Sequence, residues 1–363
     1  MSTLLHEFHH RLHAQFTTVN GAEIVADYGA ARAEHEAVRT AAGVLDLSSR
    51  SRLCLVGADR ARYLHGQVTN DIKKLLAGQG TYATITTAKG KMESDLNVFC
   101  LADELLLDFE PGLTEKITAR LEKFIVADDV QIVDAAPHYG LLTVQGPRSR
   151  EVVLALGLVT ENQLPAKSFQ SVKMTDATLG ELYLACLPRL GSTGFDFYVP
   201  NNSLGAIADK LIAAARLVGG RAVGWTAFEI ARLEAGLPRF GQDMDETNIP
   251  LECGLEARAV SYSKGCYIGQ EVINRIHSVG HVNRELRGLR LADNLSALPQ
   301  RGDKLWQAGK EVGYVTSAGY SPSLPGNLAL GYVRREACQI GTALTLQSSG
   351  GESSARIVPL PFI

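Results

Sequence analysis

The hydrophobic positions of the chain change period along its length, which predicts alternating strands and helices in the first two thirds. Apolar and polar residues alternate as in a strand from Arg52 to Val56, and Gly57-Ala58-Asp59 then opens a helix with Asp59 as its expected N-cap. Further strands and an amphipathic helix follow up to Val133. Residues 51–134 are therefore predicted to form a ferredoxin-like module of the split βαβ kind.

A second region of strands and helices is predicted between residues 141 and 234. Its expected strands are 141–144, 182–187 and 195–199, and its expected helices start near Ser149, after Asn202-Ser203 and at Thr226. Thr226 and Glu229 have the spacing of a capping box, so Thr226 is predicted to cap the last of these helices.

Beyond Val282 the pattern changes to short strands that are broken by glycine, and 348–354 is a run of small residues typical of an exposed hairpin tip. This pattern of short, glycine-broken strands predicts a small β-barrel at the C-terminus. The predicted organisation is an α+β chain with one region over residues 1–278 and a barrel domain over 279–363.

Composition narrows the function classes. The 363 residues suggest two or three domains, and a formal net charge of −3 gives no overall basic field that would recruit nucleic acid or an anionic membrane. The six cysteines are scattered without a C-x-x-C pair, so a metal site held by this chain alone is not expected. No leader or membrane helix is apparent, which makes the cytoplasm the expected compartment.

The octapeptide Lys264-Gly265-Cys266-Tyr267-Ile268-Gly269-Gln270-Glu271 places one thiol between two glycines and near a lysine. Glycine on both sides leaves the sulfur accessible, and a nearby ammonium favours the thiolate. A reactive or ligand-touching Cys266 is one interpretation. A buried cysteine in a tight turn is the other, because free cysteine is among the most often buried residue types.

Residues 232–246 begin on a predicted helix, leave it at Gly236 and continue through a polar loop to Ile249-Pro250-Leu251-Glu252. Arg232 lies on that helix among apolar neighbours. Taken alone, such an arginine is more often part of a solvated face or a structural salt bridge than of a binding site.

These two segments together resemble the folate-binding aminomethyltransferase superfamily of the glycine-cleavage T-protein, and the octapeptide resembles the signature of its YgfZ branch. Earlier motifs agree in order: Gly43 to Ser48, Leu64 to Asp71, Gly90 to Leu96, and Leu141 to Pro147. The resemblance covers residues 20–340. It implies three modules, including a ferredoxin-like module and a C-terminal β-barrel, around an opening that admits tetrahydrofolate, and it favours a monomer.

The resemblance also implies roles for single residues. Asp95 falls where T-proteins keep an aspartate near the folate nitrogens, and a carboxylate there can guide proton transfer while ammonia leaves an aminomethyl group. Arg232 matches an arginine of the folate pocket, whose fork of donors suits carboxylates and polar ring edges.

The chain departs from the T-protein pattern in two places. The T-protein stretch Gly-Tyr-Thr-Gly-Glu-Asp-Gly-Phe-Glu, which supplies a glutamate to the pterin, is shortened here to Gly191-Ser192-Thr193-Gly194-Phe195-Asp196. Asp196 either replaces that glutamate as a cofactor contact or is a strand-end carboxylate, and we favour the second interpretation. T-proteins also lack a counterpart of Cys266, which suggests that the chemistry has moved from Asp95 to this thiol.

The leading hypothesis is accordingly a tetrahydrofolate-binding, YgfZ-like protein that assists assembly or repair of iron–sulfur clusters in client enzymes, some of which modify tRNA. Cys266 would act in redox exchange or help to ligate a transient cluster shared with an iron–sulfur client or assembly partner, and Lys264 would tune the thiol. The alternative is a tetrahydrofolate-dependent aminomethyltransferase that uses Asp95 and needs a lipoyl-bearing partner. A third hypothesis is a scaffold that binds clients but no folate.

Overall fold

The computed structural model describes residues 3–363, and its first elements form a short N-terminal layer. They are α1 (His6–Arg11), β1 (Gln15–Val19), β2 (Ala22–Asp27), α2 (Ala31–Thr40) and β3 (Gly43–Asp46). Strands β1 and β2 form an antiparallel hairpin. Helix α1 is anchored by the buried His9, whose Nε2 lies 3.0 Å from Asp46 Oδ2, because a buried imidazole requires a polar partner.

The ferredoxin-like module is confirmed by its strand order. Its elements are β4 (Ser51–Val56), α3 (Arg60–Gln67), β5 (Gln79–Thr86), β6 (Met92–Cys100), β7 (Leu105–Phe109), α4 (Thr114–Glu122) and β8 (Gln131–Asp134). The sheet order β5-β6-β7-β4-β8 sets the first and last strands of the module side by side, as a split βαβ requires, with β5 as an additional edge strand. Asp59 does precede α3, but its carboxylate accepts a hydrogen bond from Asp129 N at 3.0 Å instead of capping the helix.

A second sheet follows with helices against it. Its elements are β9 (Tyr139–Gln145), α5 (Ser149–Ala155), β10 (Ser171–Asp176), β11 (Gly180–Cys186), β12 (Gly194–Pro200), α6 (Leu204–Leu217) and β13 (Arg221–Ala222), and β3 joins them in the order β10-β11-β12-β9-β3-β13. Apolar residues such as Val144, Phe197 and Leu211 form one buried cluster between sheet and helices. Burial of this surface is the main force that holds the layer together.

Three helices lead into the last domain: α7 (Trp225–Glu234), α8 (Glu256–Ala259) and α9 (Gln270–Val279). Helix α7 begins at Trp225, and Phe228 N donates to Gly224 O at 3.2 Å. Thr226 therefore lies inside the first turn, so the predicted capping role of Thr226 is wrong.

The C-terminal β-barrel is confirmed. Its elements are β14 (Arg284–Leu291), β15 (Lys304–Gln307), β16 (Lys310–Ser321), β17 (Gly326–Arg334), the 3₁₀ turn Arg335–Ala337, β18 (Ala343–Ser348) and β19 (Gly351–Val358). The six strands close in the order β14-β17-β16-β15-β18-β19 around a core that includes Leu289, Val315 and Ile357. The small residues around position 350 do form a hairpin tip, but Ser353 and Ser354 already belong to β19.

The chain separates into two compact units. The large unit contains the described residues up to Ala83 together with Asp95–Glu229, and the small unit contains Thr84–Ser94 and Ile230–Ile363. The outer part of the β5–β6 hairpin thus belongs to the small unit. A domain boundary at residues 278 and 279 stays a prediction from the sequence. Among residues 3–363, none of the helices has the length and apolar character needed to cross a membrane.

Candidate functional site

Asp95 lies on β6 of the ferredoxin-like sheet, where polar side chains on adjacent strands form two rows, one through Asp95 and one through Asn97. In the second row, Asn97 of β6 is opposite Asp108 of β7, and Asn97 Nδ2 donates to Asp108 Oδ2 at 2.8 Å. Because side chains two residues apart on a strand share a face, continuing this antiparallel register by two residues sets Asp95 opposite Glu110.

The same register places two arginines in these rows. Arg52 of β4 pairs with Asp108, and the same two-residue step sets Arg50 opposite Glu110. Arg50 Nε donates to Asp108 Oδ1 at 2.7 Å, and its Nη1 donates to Glu110 Oε1 at 2.6 Å. One guanidinium therefore joins the two rows.

Arg189 extends this buried cluster to the second sheet of the same unit. Its Nη2 donates to Asp108 Oδ2 at 2.7 Å and to Asp196 Oδ2 at 2.6 Å, and both aspartates are fully buried. Burial alone would raise the pKa of Asp108, but the guanidinium groups of Arg189 and Arg50 hold that pKa well below its usual range. Asp108 is therefore a permanent anion between two cations.

Asp95 has the opposite electrostatic character. Burial and the nearby negative charge of Glu110 raise the pKa of Asp95 to about 6, although Tyr82 and Arg50 act against this rise. Tyr82 donates its hydroxyl proton to Asp95 Oδ2 at 2.8 Å. A carboxyl that is partly protonated near neutral pH can both accept and donate a proton, as general acid–base catalysis requires.

The charges of the cluster favour the protonated form of one carboxyl. Its acids are Asp95, Asp108, Glu110 and Asp196, and its bases are Arg50, Arg52 and Arg189. Four carboxyls face three guanidinium groups, so the cluster is neutral when one carboxyl is protonated. Buried charge is stable only when it is compensated.

Asp196 lies in this cluster but is fixed by Arg189. Arg189 Nε contacts both carboxylate oxygens, at 3.1 Å and 3.0 Å, in addition to the contact from Nη2. Burial raises the pKa of Asp196, and the guanidinium counteracts that effect. This geometry is that of a structural ion pair at a strand, and a contact between Asp196 and a pterin stays a prediction.

Arg232 lies on α7 in the small unit and is also bound to protein groups. It is 4% exposed, its Nη1 donates to Asp243 Oδ2 at 2.8 Å and to Leu237 O at 2.5 Å, and its Nη2 donates to Ser317 Oγ at 3.1 Å. The side chain thereby connects the loop after α7 to strand β16. Its predicted contact with folate remains a prediction.

Lys264 and Cys266 lie in the octapeptide of the small unit with different exposures. Cys266 is exposed, which favours the accessible-thiol interpretation over the buried one. Lys264 is only 7% exposed, and its Nζ lies 4.8 Å from the ring centroid of Tyr267. The ammonium is thus held in a cation–π contact, and its predicted tuning of the thiol stays a prediction.

The octapeptide packs against the tip of the β5–β6 hairpin, within the small unit. Thr86 Oγ1 donates to Ile268 O at 2.6 Å. Gly269 precedes helix α9 with φ of 90°, and a Cβ atom there would lie 2.6 Å from Thr87 O. The second glycine of the motif therefore permits a close backbone approach and a left-handed turn.

Sequence reasoning missed Tyr82, Glu110 and Arg50, the groups that act on Asp95. One signal was available: charged residues in otherwise apolar strands, such as Asp108 in Leu105–Phe109, are seldom tolerated in a core without a partner. That signal identifies a buried charge but not its partners, which come from distant parts of the chain.

Comparison with known proteins assigns the chain to a family. A family model described as the GCVT N-terminal domain matches residues 5–264, and one described as the glycine cleavage T-protein C-terminal barrel domain matches residues 284–363. The chain belongs to the glycine cleavage T-protein family. This family uses tetrahydrofolate.

The relatives of this chain include proteins named aminomethyltransferase. A protein named aminomethyltransferase from Symbiobacterium thermophilum is 30% identical over 369 residues, which cover 99% of this chain and 96% of that protein. A protein of the same name from Listeria monocytogenes is 28% identical over 364 residues, which cover 100% and 98%. The crystal structure of glycine cleavage system aminomethyltransferase T from Bartonella henselae has the same fold, with a TM-score of 0.90 at 24% identity over 100% of this chain and 98% of that one.

These findings contradict the leading hypothesis from the sequence. Full-length similarity to proteins named aminomethyltransferase favours the alternative reaction over a role in iron–sulfur cluster assembly or tRNA modification, and iron–sulfur partners find no support. The hypothesis was wrong because it rested on one eight-residue motif. The similarity extends over the whole chain.

Proposed function

We propose that this protein is a tetrahydrofolate-dependent aminomethyltransferase of the glycine-cleavage type that works in the cytoplasm with a lipoyl-bearing carrier protein. The observation that carries the proposal is Asp95, a half-buried carboxyl with a pKa of about 6 in a chain of this family. Its position in the motif Gly90 to Leu96 matches the aspartate that the family keeps near the folate nitrogens.

The proposed reaction transfers a methylene group. The bond between the carrier sulfur and the aminomethyl carbon breaks, ammonia leaves the carbon, and the carbon forms two bonds to folate nitrogens. The two protons lost by those nitrogens end on the carrier thiol and on ammonia. No oxidant or reductant is needed.

Asp95 would move one of these protons. An ionised Asp95 accepts a proton from a folate nitrogen, and the protonated carboxyl returns it to the departing amine. Tyr82 holds Asp95 Oδ2 in place through the 2.8 Å hydrogen bond. A pKa near the working pH suits both steps, because each protonation state is then populated.

The other predicted site residues have smaller parts in this proposal. Arg232 and Asp196 remain predicted folate contacts, but their observed hydrogen bonds are to protein groups of their own units. Membership of the YgfZ branch remains a prediction that rests on the octapeptide. The proposed reaction requires no bond to Cys266 or Lys264.

The test is a transfer assay with an aminomethyl-lipoyl carrier and tetrahydrofolate, in which methylenetetrahydrofolate and ammonia are both measured. Wild-type protein should form the two products in equal amounts, and Asp95→Asn should lower the rate by about 100-fold or more, since general acid–base groups contribute that much. Asp103→Asn, at an exposed loop carboxylate, is the matched control and should keep the wild-type rate. Absence of turnover by folded wild-type protein, or full activity of Asp95→Asn, would refute the proposal.

A further inference from the structure

The cluster contains two groups that act on Asp95 from different strands and in opposite directions. Glu110 follows β7, and continuing the β6–β7 register by two residues sets it opposite Asp95, while Tyr82 on β5 donates a hydrogen bond to Asp95 Oδ2 at 2.8 Å. Like charges directly opposite each other in a sheet repel, whereas a hydroxyl donor stabilises the ionised carboxylate. Glu110 therefore favours the protonated form of Asp95, and Tyr82 favours the ionised form.

Glu110 is buried and held in position by Arg50. It is 4% exposed, and Arg50 Nη1 donates to Glu110 Oε1 at 2.6 Å. Arg50 is shared with Asp108, so its single positive charge compensates two carboxylates at once.

The charged groups and the tyrosine donor described in and around this row of the large unit come from four elements. They are Tyr82 on β5, Asp108 and Glu110 on or after β7, Arg50 and Arg52 on or before β4, and Arg189 and Asp196 on or before β12. Arg189 binds Asp108 and Asp196, and Arg52 donates through Nη1 to Arg50 O at 2.7 Å and through Nη2 to Ser48 O at 3.0 Å. Within this unit, Glu110 and Tyr82 are thus the groups whose alteration changes the surroundings of Asp95 most directly.

We propose that Glu110 and Tyr82 are positioning residues that together set when Asp95 carries its proton, Glu110 by repulsion across the sheet and Tyr82 by its donated hydrogen bond. The inference rests on the proposed function, in which Asp95 moves a proton. Its test, however, requires neither folate nor turnover. The two hypotheses can therefore fail separately.

The experiment is a carboxyl ¹³C NMR titration of the full-length protein, with the Asp95 signal assigned by its loss in Asp95→Asn. Wild-type Asp95 should titrate near pH 6. Glu110→Gln removes the opposing charge but keeps an oxygen for Arg50, and it should lower the midpoint by about one pH unit. Tyr82→Phe removes the donor and should raise the midpoint. If both residues had only a structural role, the two substitutions would not shift the Asp95 midpoint in opposite directions.

Two controls complete the design. Glu110→Asp keeps the charge and should restore most of the wild-type midpoint, and Glu122→Gln, an exposed carboxylate on α4, should leave it unchanged. If Glu110→Gln fails to fold, Tyr82→Phe alone still decides, because an unchanged or lowered midpoint in that variant overturns the inference. A wild-type midpoint below pH 5 overturns it as well. Where transfer activity is found, the acidic limb of its pH profile should shift with the NMR midpoint in each variant.

Discussion

At the scale of single residues, the main feature is a charged cluster inside a region that otherwise excludes water. Asp108 and Asp196 are fully buried, and each is held by Arg189. A buried ion pair adds little stability compared with apolar packing, but removal of one member leaves an uncompensated charge. The cluster is therefore more important for the charge state of Asp95 than for overall stability, yet it is sensitive to single substitutions.

Arg189→Met should reveal that sensitivity. It leaves two buried carboxylates with less compensation, so we expect the free energy of unfolding to fall by about 3–5 kcal/mol in urea denaturation. Adding Asp196→Asn to this variant should recover part of the loss. Arg150→Met, which removes an exposed partner of Glu161, should cost less than about 1 kcal/mol. An equal loss of unfolding free energy in Arg189→Met and Arg150→Met would show that the buried charges are not coupled as described.

At the scale of elements, the sequence pattern predicted strands such as β4, β9 and β12 but missed the short strand β3. The alternation in Arg52 to Val56 marks β4, whereas Gly43–Asp46 is a short apolar run that pairs on both sides, with β9 and β13, and shows no alternation. Strand β19 was missed at its start because Ser353 and Ser354 are small and polar. Alternation becomes visible only from the buried Ala355 onward.

The junction between the octapeptide and the β5–β6 hairpin provides a prediction at the same scale. Gly269→Ala places a Cβ atom 2.6 Å from Thr87 O and 2.7 Å from Thr86 Oγ1, in addition to the strain of a positive φ. Gly254→Ala has φ of 70° and open space around the new Cβ, so it isolates the backbone strain, which is about 1–2 kcal/mol. We expect Gly269→Ala to destabilise the protein clearly more than Gly254→Ala in thermal unfolding. Equal melting temperatures would indicate that the octapeptide does not pack closely on the hairpin.

At the scale of the whole molecule, the sequence predicted the fold but not the surroundings of Asp95, whose role remains a prediction. The motif of Asp95, Gly90 to Leu96, spans seven residues, whereas Arg50 meets Asp108 and Glu110 across 58 and 60 residues, and Arg189 meets Asp108 across 81. A single sequence contains no record of which distant charges meet. The octapeptide with Cys266, in contrast, is easily recognised from eight consecutive residues, but it led to a function that the full-length relatives contradict.

The six cysteines provide a final test that covers the whole chain. Cys266 is exposed and Cys100 is half-buried, while Cys54, Cys186, Cys253 and Cys338 are buried. Burial also raises the pKa of Cys253 to about 12, which suppresses its reactive thiolate. In native protein we therefore expect one thiol to react rapidly with Ellman's reagent, a second to react slowly, and the other four to react only with unfolding.

Cys266→Ser should remove the rapid phase and leave the aminomethyl-transfer rate unchanged, because the proposed reaction forms no bond to this sulfur. Cys100→Ser is the matched control and should remove only the slow native phase. Rapid reaction of four or more thiols in folded protein would contradict the buried positions of the cysteines. Loss of transfer activity in Cys266→Ser, with folding intact, would instead return this thiol to the chemistry and leave Asp95 as its partner rather than as the sole proton carrier.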